Sequence, residues 1–144
     1  MEWETYGGLA DLPHFNPDED EEGRPVPPAV ADLRSRVIAA DGWIISSPEY
    51  AHGMPGTLKN ALDWLVSALE ALGKAVLLVS ASPGGAAHAH AQLAEVLRTM
   101  NLKLVDGGAH VFTRARLDAS GEVADPELRA VIARGVAALT AAVR

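Results

Sequence analysis

Two short, continuous apolar runs constrain the fold of this chain more than any other feature of its sequence. They are WIIS at 43–46 and the longer KAVLLVSA at 74–81. Apolar runs of this length, bounded by turn residues and rich in β-branched side chains, are typical of buried parallel strands. Helices must cover the faces of such strands, so the sequence predicts an α/β protein.

Segments with helical periodicity separate these runs. Helices are predicted from Pro28 to about Asp41, from behind Pro55 to a close at Gly73, over 87–101, and from Pro126 with Asp125 as its N-cap. Further strands are predicted at EWETY (2–6), whose residues alternate, and within 102–113 with a bend at Gly107 and Gly108. Strand and helix thus alternate four times, which predicts a doubly wound parallel sheet in three layers. The length of 144 residues predicts a single domain over 1–144.

Composition and charge exclude several classes of function. The net charge of -7 argues against nucleic acid or an anionic membrane surface as a partner. The chain contains no cysteine, which excludes disulfides, zinc-thiolate sites and thiol nucleophiles. No apolar run approaches the ~18 residues of a membrane span and no signal segment opens the chain, so a cytoplasmic location is expected. The acidic run at 18–22 is expected to be a solvated loop.

Two loops that follow predicted strands form the expected binding site, because ligands of open α/β sheets bind at the carboxyl ends of strands. SPEYAHGMPG follows the strand at 43–46, and SASPGG (80–85) follows the strand at 74–81. Main-chain N–H groups along one edge, with Tyr50 along a face, suit a planar heterocycle that needs directional hydrogen bonds. The two loops are therefore expected to meet around such a ligand.

The stretch SPEYAHGMPGTLKNALDWL (47–65) closely resembles the signature of the NAD(P)H-dependent FMN reductases. This flavodoxin-like family includes quinone, chromate and azo-dye reductases. SASPGG resembles its second flavin loop, LADLPHFNPDEDEEG (9–23) resembles the segment after its second strand, and the similarity covers essentially the whole chain. The matching signature positions are Ser47, Pro48, Glu49, Tyr50, Pro55, Gly56, Leu58, Lys59, Asn60, Ala61, Asp63 and Trp64.

The resemblance implies FMN as the cofactor and NAD(P)H as the reductant. It implies no catalytic side chain and no metal ligand. The helix over 56–69 is implied to pack against a second subunit, in a homodimer or homotetramer, and the substrate is implied to be a small-molecule electron acceptor. The implied flavin-binding residues are Pro48, Glu49, Tyr50, Ala51 and His52 on one side and Ser82, Gly84 and Gly85 on the other.

The sequence departs from the family pattern in two places. Ala51 stands where the family usually has Asn, so a side-chain hydrogen bond is lost while backbone contacts are expected to remain. Family members begin with a strand, a Gly-Ser-x-Arg-x-x-Ser loop that holds the FMN phosphate, and a first helix, whereas Met1 aligns with the second strand. We favour an upstream segment of about 35 residues in the natural protein, and the alternative is a sheet completed by exchange with another subunit.

Several site residues also have ordinary structural interpretations. Tyr50 is interpreted as a flavin contact rather than a rim aromatic without a ligand. Glu49 is either a solvated turn carboxylate or an acid/base, and hydride transfer between stacked rings disfavours the second role because it needs positioning more than a proton donor. His52 is expected at the mouth of the pocket. His88 and His90 lie two apart in a helix, so they are expected to point in different directions and not to share a metal.

Three functions remain open at this point. The first, which the resemblance favours, is an FMN-dependent NAD(P)H oxidoreductase that passes hydride from nicotinamide to flavin and on to a quinone, chromate, azo or similar acceptor. The second is a non-catalytic flavodoxin-like interaction subunit that has lost the FMN phosphate site. The third is a flavin or nucleotide binder that serves only as a carrier or sensor.

Overall fold

A computed structural model describes residues 2–80, 86–105 and 118–143. Its helices and strands are α1 (Pro28–Ala39), β1 (Gly42–Ser46), α2 (Gly56–Leu65), β2 (Ala75–Val79), α3 (Ala87–Thr99), β3 (Lys103–Leu104) and α4 (Pro126–Ala142). They belong to two compact units, one of Met1–Ala40 and Gly56–Ala71, the other of Asp41–Pro55 and Leu72–Arg144. The single domain over 1–144 stays a prediction. None of the helices in the described ranges combines the length and hydropathy of a membrane-spanning segment.

A three-stranded parallel sheet organises the second unit, in the order β1-β2-β3. Gly42 lies opposite Ala75 and Ser46 opposite Val79, and Ala75 pairs on its other side with Lys103. The predicted parallel strands at 43–46 and 74–81 are thus confirmed. The bend predicted at Gly107 and Gly108 lies outside the described residues.

β1 is less buried than its apolar sequence predicts. The side chain of Ile44, at the middle of the strand, is 40% exposed. Within the described part of the chain β1 has a strand neighbour on one edge only, the edge that it shares with β2. Burial of an apolar strand depends on what covers it, and the sequence of the strand does not contain that information.

One buried hydrophobic cluster of the second unit lies between the sheet and α4. Ala75 and Leu77 of β2 pack with Leu139 of α4 in a buried cluster. Gly42 lies at the closest approach, because a Cβ built there would be 2.8 Å from Cγ1 of Val143 and 3.1 Å from the carbonyl oxygen of Ala75. Only glycine fits at this point without displacing backbone or side chains.

The start of α4 agrees with the sequence prediction. The carboxylate of Asp125 accepts hydrogen bonds from the N–H groups of Glu127 and Leu128, at 2.9 Å and 3.3 Å. Pro126 occupies the first helical position, where a missing N–H costs no hydrogen bond. The helix therefore begins where its local capping signal places it.

The strand predicted at EWETY (2–6) is wrong. Residues 2–7 carry no regular secondary structure, and Trp3 is 55% exposed. An alternating sequence becomes a strand only when a neighbouring strand pairs with its backbone, and no strand of the described residues does so. Glu4 instead forms an ion pair with Arg36 of α1.

The segment GGLADLPHFNPDEDEEGRPVPP (7–28) contains five prolines, a composition that favours an exposed loop, but Pro13 and Phe15 of this segment are packed within the first unit. Asn60 of α2 accepts a hydrogen bond from the N–H of Phe15 at 2.8 Å and donates one to the carbonyl of Pro13 at 2.9 Å. The indole N–H of Trp64 donates to the same carbonyl at 2.9 Å. The rings of Phe15 and Trp64 meet edge to face, with centroids 5.0 Å apart. Two residues of the family signature, Asn60 and Trp64, therefore hold this segment.

Asp20 corrects the expectation that the acidic run at 18–22 is wholly solvated. Its side chain is 10% exposed and lies 2.7 Å from the guanidinium of Arg34. The hydroxyl of Ser67 lies 2.8 Å and 2.9 Å from the two carboxylate oxygens, to which it can donate. Hydrogen-bonded pairing of this kind compensates the lost hydration of a carboxylate. The other acidic residues of the run are exposed, as predicted.

α2 ends at Leu65, well before Gly73, where the sequence predicts that the helix closes, and also before the end of the helix over 56–69 that the resemblance implies. The guanidinium of Arg34 donates to the carbonyl of Trp64 from Nε and Nη2, at 2.9 Å and 2.6 Å. In a longer helix that carbonyl would accept from the N–H of Ala68. Ala68 instead donates to Leu65, three residues back. A tertiary contact thus replaces the next turn of helix.

Candidate functional site

The loop of residues 47–54, called the site loop below, leaves the carboxyl end of β1 in the second unit. The N–H of Ser47 donates to the carbonyl of Val79 at 3.1 Å and extends the pairing with β2 by one residue. The buried hydroxyl of Ser47 donates to the carbonyl of Pro48 at 2.9 Å. The loop therefore starts rigidly at the sheet edge where open α/β proteins bind ligands.

Residues 50–53 form a tight turn closed by two reciprocal hydrogen bonds. The N–H of Tyr50 donates to Gly53 at 3.0 Å, and the N–H of Gly53 donates back to Tyr50 at 2.9 Å. The two central residues, Ala51 and His52, have φ of 48° and 60°. This left-handed conformation is uncommon for residues other than Gly, Asn, Asp and His, so it is unfavourable for Ala51. The Asn that the family usually has at position 51 would suit this backbone better than Ala51.

The turn presents two unused main-chain donors. Within the described residues, the N–H groups of Ala51 and His52 donate to no acceptor. The side chain of Tyr50 beside them is 66% exposed. Two free N–H groups next to an exposed aromatic ring match a planar ligand with carbonyl oxygens and ring nitrogens. The donor set thus fits the kind of ligand that the sequence predicts.

Glu49 is a capping residue for α3. Its carboxylate accepts hydrogen bonds from the N–H groups of His88 and Ala89 at 2.9 Å and 3.0 Å, in the first turn of a helix whose own N-cap makes no side-chain bond. The Ala89 N–H is the main reason that the pKa of Glu49 lies below its ordinary value, and the His88 N–H and the rings of His88 and His52 add to it. A carboxylate stabilises the positive end of a helix dipole. Glu49 therefore has a capping role, which neither of its two interpretations from the sequence includes.

Two further contacts join the site loop to α3. The rings of His52 and His88 are stacked, with centroids 4.4 Å apart and planes 20° from parallel. The side-chain oxygen of Gln92 accepts a hydrogen bond from the N–H of Met54 at 3.1 Å. Together with Glu49, these contacts hold the loop at its beginning, middle and end.

His88 and His90 point in different directions, as their spacing predicts. His88 is exposed, whereas His90 is buried at 8% exposure. Neither ring nitrogen of His90 makes a hydrogen bond of ordinary geometry with a described residue. Burial lowers its pKa, while the Val79 backbone and the carboxylate of Glu49 oppose the shift. No group of three or more potential metal ligands occurs in the described ranges.

The structure describes only some of the predicted site residues. Pro48, Tyr50, Ala51 and His52 are exposed on the site loop. The predicted contacts Ser82, Gly84 and Gly85 lie outside the described residues, so the meeting of the two loops stays a prediction. No local signal in the sequence points to Gln92, because its contact with Met54 spans 38 residues of chain.

Comparison with known proteins gives concordant matches. Residues 1–116 match the family model of NADPH-dependent FMN reductases. The chain is 36% identical to the NADH:(hydroxy)cinnamate reductase subunit CrdA of Vibrio ruber over 124 residues, which are 81% of this chain and 60% of that protein. It is 37% identical to the quinone reductase of Escherichia coli over 102 residues, 67% of this chain and 53% of that one.

A solved structure shows the same fold. The flavoenzyme NAD(P)H:(acceptor) oxidoreductase FerB of Paracoccus denitrificans is similar with a TM-score of 0.75 and 30% identity, over 94% of this chain and 75% of FerB. The parallel sheet, its helices and the signature loop define a flavodoxin-like protein of the flavin reductase class. The chain belongs to the NADPH-dependent FMN reductase family, as its signature predicts. It spans 60% of the length of CrdA and 53% of that of the quinone reductase.

Proposed function

We propose that this chain binds FMN on the site loop and acts as an NAD(P)H-dependent oxidoreductase toward a small-molecule acceptor. The observation that carries the proposal is the pair of N–H groups at Ala51 and His52, which donate to no acceptor among the described residues and lie beside the exposed ring of Tyr50. Bound FMN would supply the redox chemistry, since a flavin accepts hydride from nicotinamide and passes electrons to an acceptor. The residues of the chain would bind the flavin and orient it.

The residues of the site loop have separate roles in this proposal. The N–H groups of Ala51 and His52 donate to the polar edge of the flavin ring, and the ring of Tyr50 contacts its face. Pro48 and Glu49 contribute backbone contacts. In this proposal the carboxylate of Glu49 caps α3 through the N–H groups of His88 and Ala89 and has no role in proton transfer.

The acceptor class that we propose is a quinone first, and an azo compound or chromate next. The E. coli relative is named a quinone reductase, and the solved relative is named for a general acceptor. Planar, electron-poor rings share the shape of the nicotinamide that they would replace at the flavin. The reduced nicotinamide and the acceptor would use one site in turn. The compartment that we propose is the cytoplasm.

A spectroscopic experiment tests the proposal directly. Purified protein is titrated with FMN under anaerobic conditions, then with NADPH or NADH, then with a benzoquinone, while flavin absorbance is recorded. We expect stoichiometric FMN uptake, bleaching by reduced nicotinamide and recovery of the oxidised spectrum on adding quinone. A protein that takes up no FMN contradicts the proposal and favours the non-catalytic interaction subunit. FMN uptake without bleaching favours a carrier or sensor.

Variants at Tyr50 test the proposed contact. Tyr50→Ala removes the ring and should weaken FMN binding about tenfold, from the ~0.5–1.5 kcal/mol that an aromatic pair contributes. Tyr50→Phe keeps the ring and should bind within about twofold of the wild type. Trp3→Ala is a matched control, because it removes another exposed aromatic, 55% exposed, from a different part of the chain.

We also propose that two copies pair through the region of α2. Val66 and Leu69, which follow the helix in the first unit, are 57% and 66% exposed. The predicted helix includes Leu69, whereas the structure places it beyond the end of α2. Large exposed apolar side chains close together mark interaction surfaces. Light scattering should report a dimer or tetramer for the wild type and a smaller species for Leu69→Glu. A monomeric wild type would contradict this part of the proposal.

A further inference from the structure

We infer that Gln92 is a positioning residue, which holds the end of the site loop on α3 and thereby sets the affinity of the loop for flavin. The inference rests on the proposed function for its ligand and on the loop contacts for its geometry. Gln92 does not touch the proposed flavin face. It acts on the ligand through the turn at residues 50–53.

The geometry shows two anchors on either side of this turn. Before the turn, the Glu49 carboxylate is bonded to the N–H groups of His88 and Ala89. After the turn, the N–H of Met54 is bonded to the side-chain oxygen of Gln92, one turn further along the same helix. Gly53 passes close to this amide, since a Cβ at Gly53 would lie 3.2 Å from the same oxygen. The helix therefore fixes both ends of the segment that carries Tyr50.

The turn needs such anchors because its own conformation is unfavourable. Ala51 and His52 both have positive φ, and alanine rarely adopts this region. Strained backbone persists when its surroundings over-determine it. Release of one anchor would let the two residues relax toward ordinary φ and would turn their N–H groups away from the ligand.

The test compares two variants of Gln92. Gln92→Ala removes the acceptor of the Met54 N–H, whereas Gln92→Glu retains a side-chain oxygen at the same reach. Because Gln92 is exposed, neither change opens a cavity. Glu95→Ala, also exposed on α3, is the matched control. The readouts are the FMN dissociation constant, the hydrogen-exchange rate of the Met54 amide without flavin, and the midpoint of urea unfolding.

For Gln92→Ala we expect FMN affinity to fall about fivefold, which is the net effect of one hydrogen bond, while the urea midpoint stays near that of the wild type. Exchange of the Met54 amide should quicken. In Gln92→Glu, the FMN affinity and the exchange rate of the Met54 amide should both stay within about twofold of the wild type. Glu95→Ala should change neither of these two quantities.

Two results would overturn the inference. Unchanged Met54 exchange in Gln92→Ala would show that the amide is not held by Gln92. Faster exchange with unchanged FMN affinity would show that the anchor does not position the ligand. A wild type that binds no FMN would instead refute the proposed function and the ligand half of the inference, while the flavin-free exchange measurement still decides whether Gln92 holds the loop.

Discussion

Asn60 is a family signature residue whose contacts in this chain are structural, and its replacement gives a sharp prediction. Asn60→Ala removes the acceptor of the Phe15 N–H at 2.8 Å and the donor to the Pro13 carbonyl at 2.9 Å. Each such hydrogen bond contributes about 1 kcal/mol net, so the free energy of unfolding should fall by about 2 kcal/mol. For a chain of this length the midpoint of thermal unfolding should fall by roughly 4–8 °C.

Urea denaturation followed by tryptophan fluorescence measures this loss. The neighbouring Lys59→Ala is the matched control, because it breaks only the 2.5 Å surface ion pair with Asp63, which the spacing of the two residues predicts. A pair of this kind contributes at most ~1 kcal/mol. Trp64→Phe removes the second donor to the Pro13 carbonyl, and the double variant with Asn60→Ala should lose more than the sum of the two single changes. The excess arises because that carbonyl then lacks both donors.

Two outcomes would refute this reasoning. A loss below about 0.5 kcal/mol for Asn60→Ala would show that the two hydrogen bonds do not hold the segment around Phe15. Loss of FMN affinity in Asn60→Ala below its unfolding transition would show that the residue acts on the ligand and not only on the fold.

The remaining predictions concern the backbone and the helix cap. Ala51→Gly should raise the free energy of unfolding by roughly 0.5–1 kcal/mol in urea, because glycine adopts positive φ without strain, and an unchanged midpoint would argue against the strained turn. Gly42→Val should lower it by at least about 2 kcal/mol, because its Cβ would lie 2.8 Å from Val143, and a tolerated valine would contradict this packing. The pKa of Glu49 is lowered in the folded protein. Its carboxylate therefore stabilises the folded state above about pH 4.5, and this stabilisation is lost as the pH falls through the lower folded pKa. Glu49→Gln should therefore show a shallower loss of stability between pH 5 and 3 than the wild type, measured by thermal unfolding, and equal slopes would contradict the capping role.

The parts of the fold that the sequence predicts correctly depend on local signals. The start of α4 follows from Asp125 and Pro126, whose capping geometry involves only neighbouring residues. β1 and β2 follow from apolar runs too short for helices. The signature stretch identifies the family because its turn and helix residues occur together in one segment.

The parts that sequence reasoning misses depend on contacts between distant residues. The end of α2 is decided by Arg34, which lies 30 residues from the carbonyl that it binds. The burial of Asp20 depends on the same guanidinium. The segment 2–6 has a strand pattern but no partner strand among the described residues. None of these outcomes is encoded in the periodicity of the segment concerned.

At the candidate site, too, local features are predicted from the sequence and contacts between distant residues are not. The exposure of Tyr50 and the turn after it agree with the loop predicted from its Pro and Gly residues. Sequence reasoning does not find the capping role of Glu49, because the helix amides that it binds are 39 and 40 residues away. A carboxylate in a loop sequence does not reveal which helix it will cap.

The central claim is that the exposed turn held on α3 is a flavin-binding surface. The most direct test is a two-dimensional NMR titration of isotope-labelled protein with FMN, following the backbone amides of the site loop. The amides of Ala51 and His52 are expected to show saturable shifts that exceed those of amides elsewhere in the described chain. FMN binding that leaves both amides unshifted would contradict the central claim.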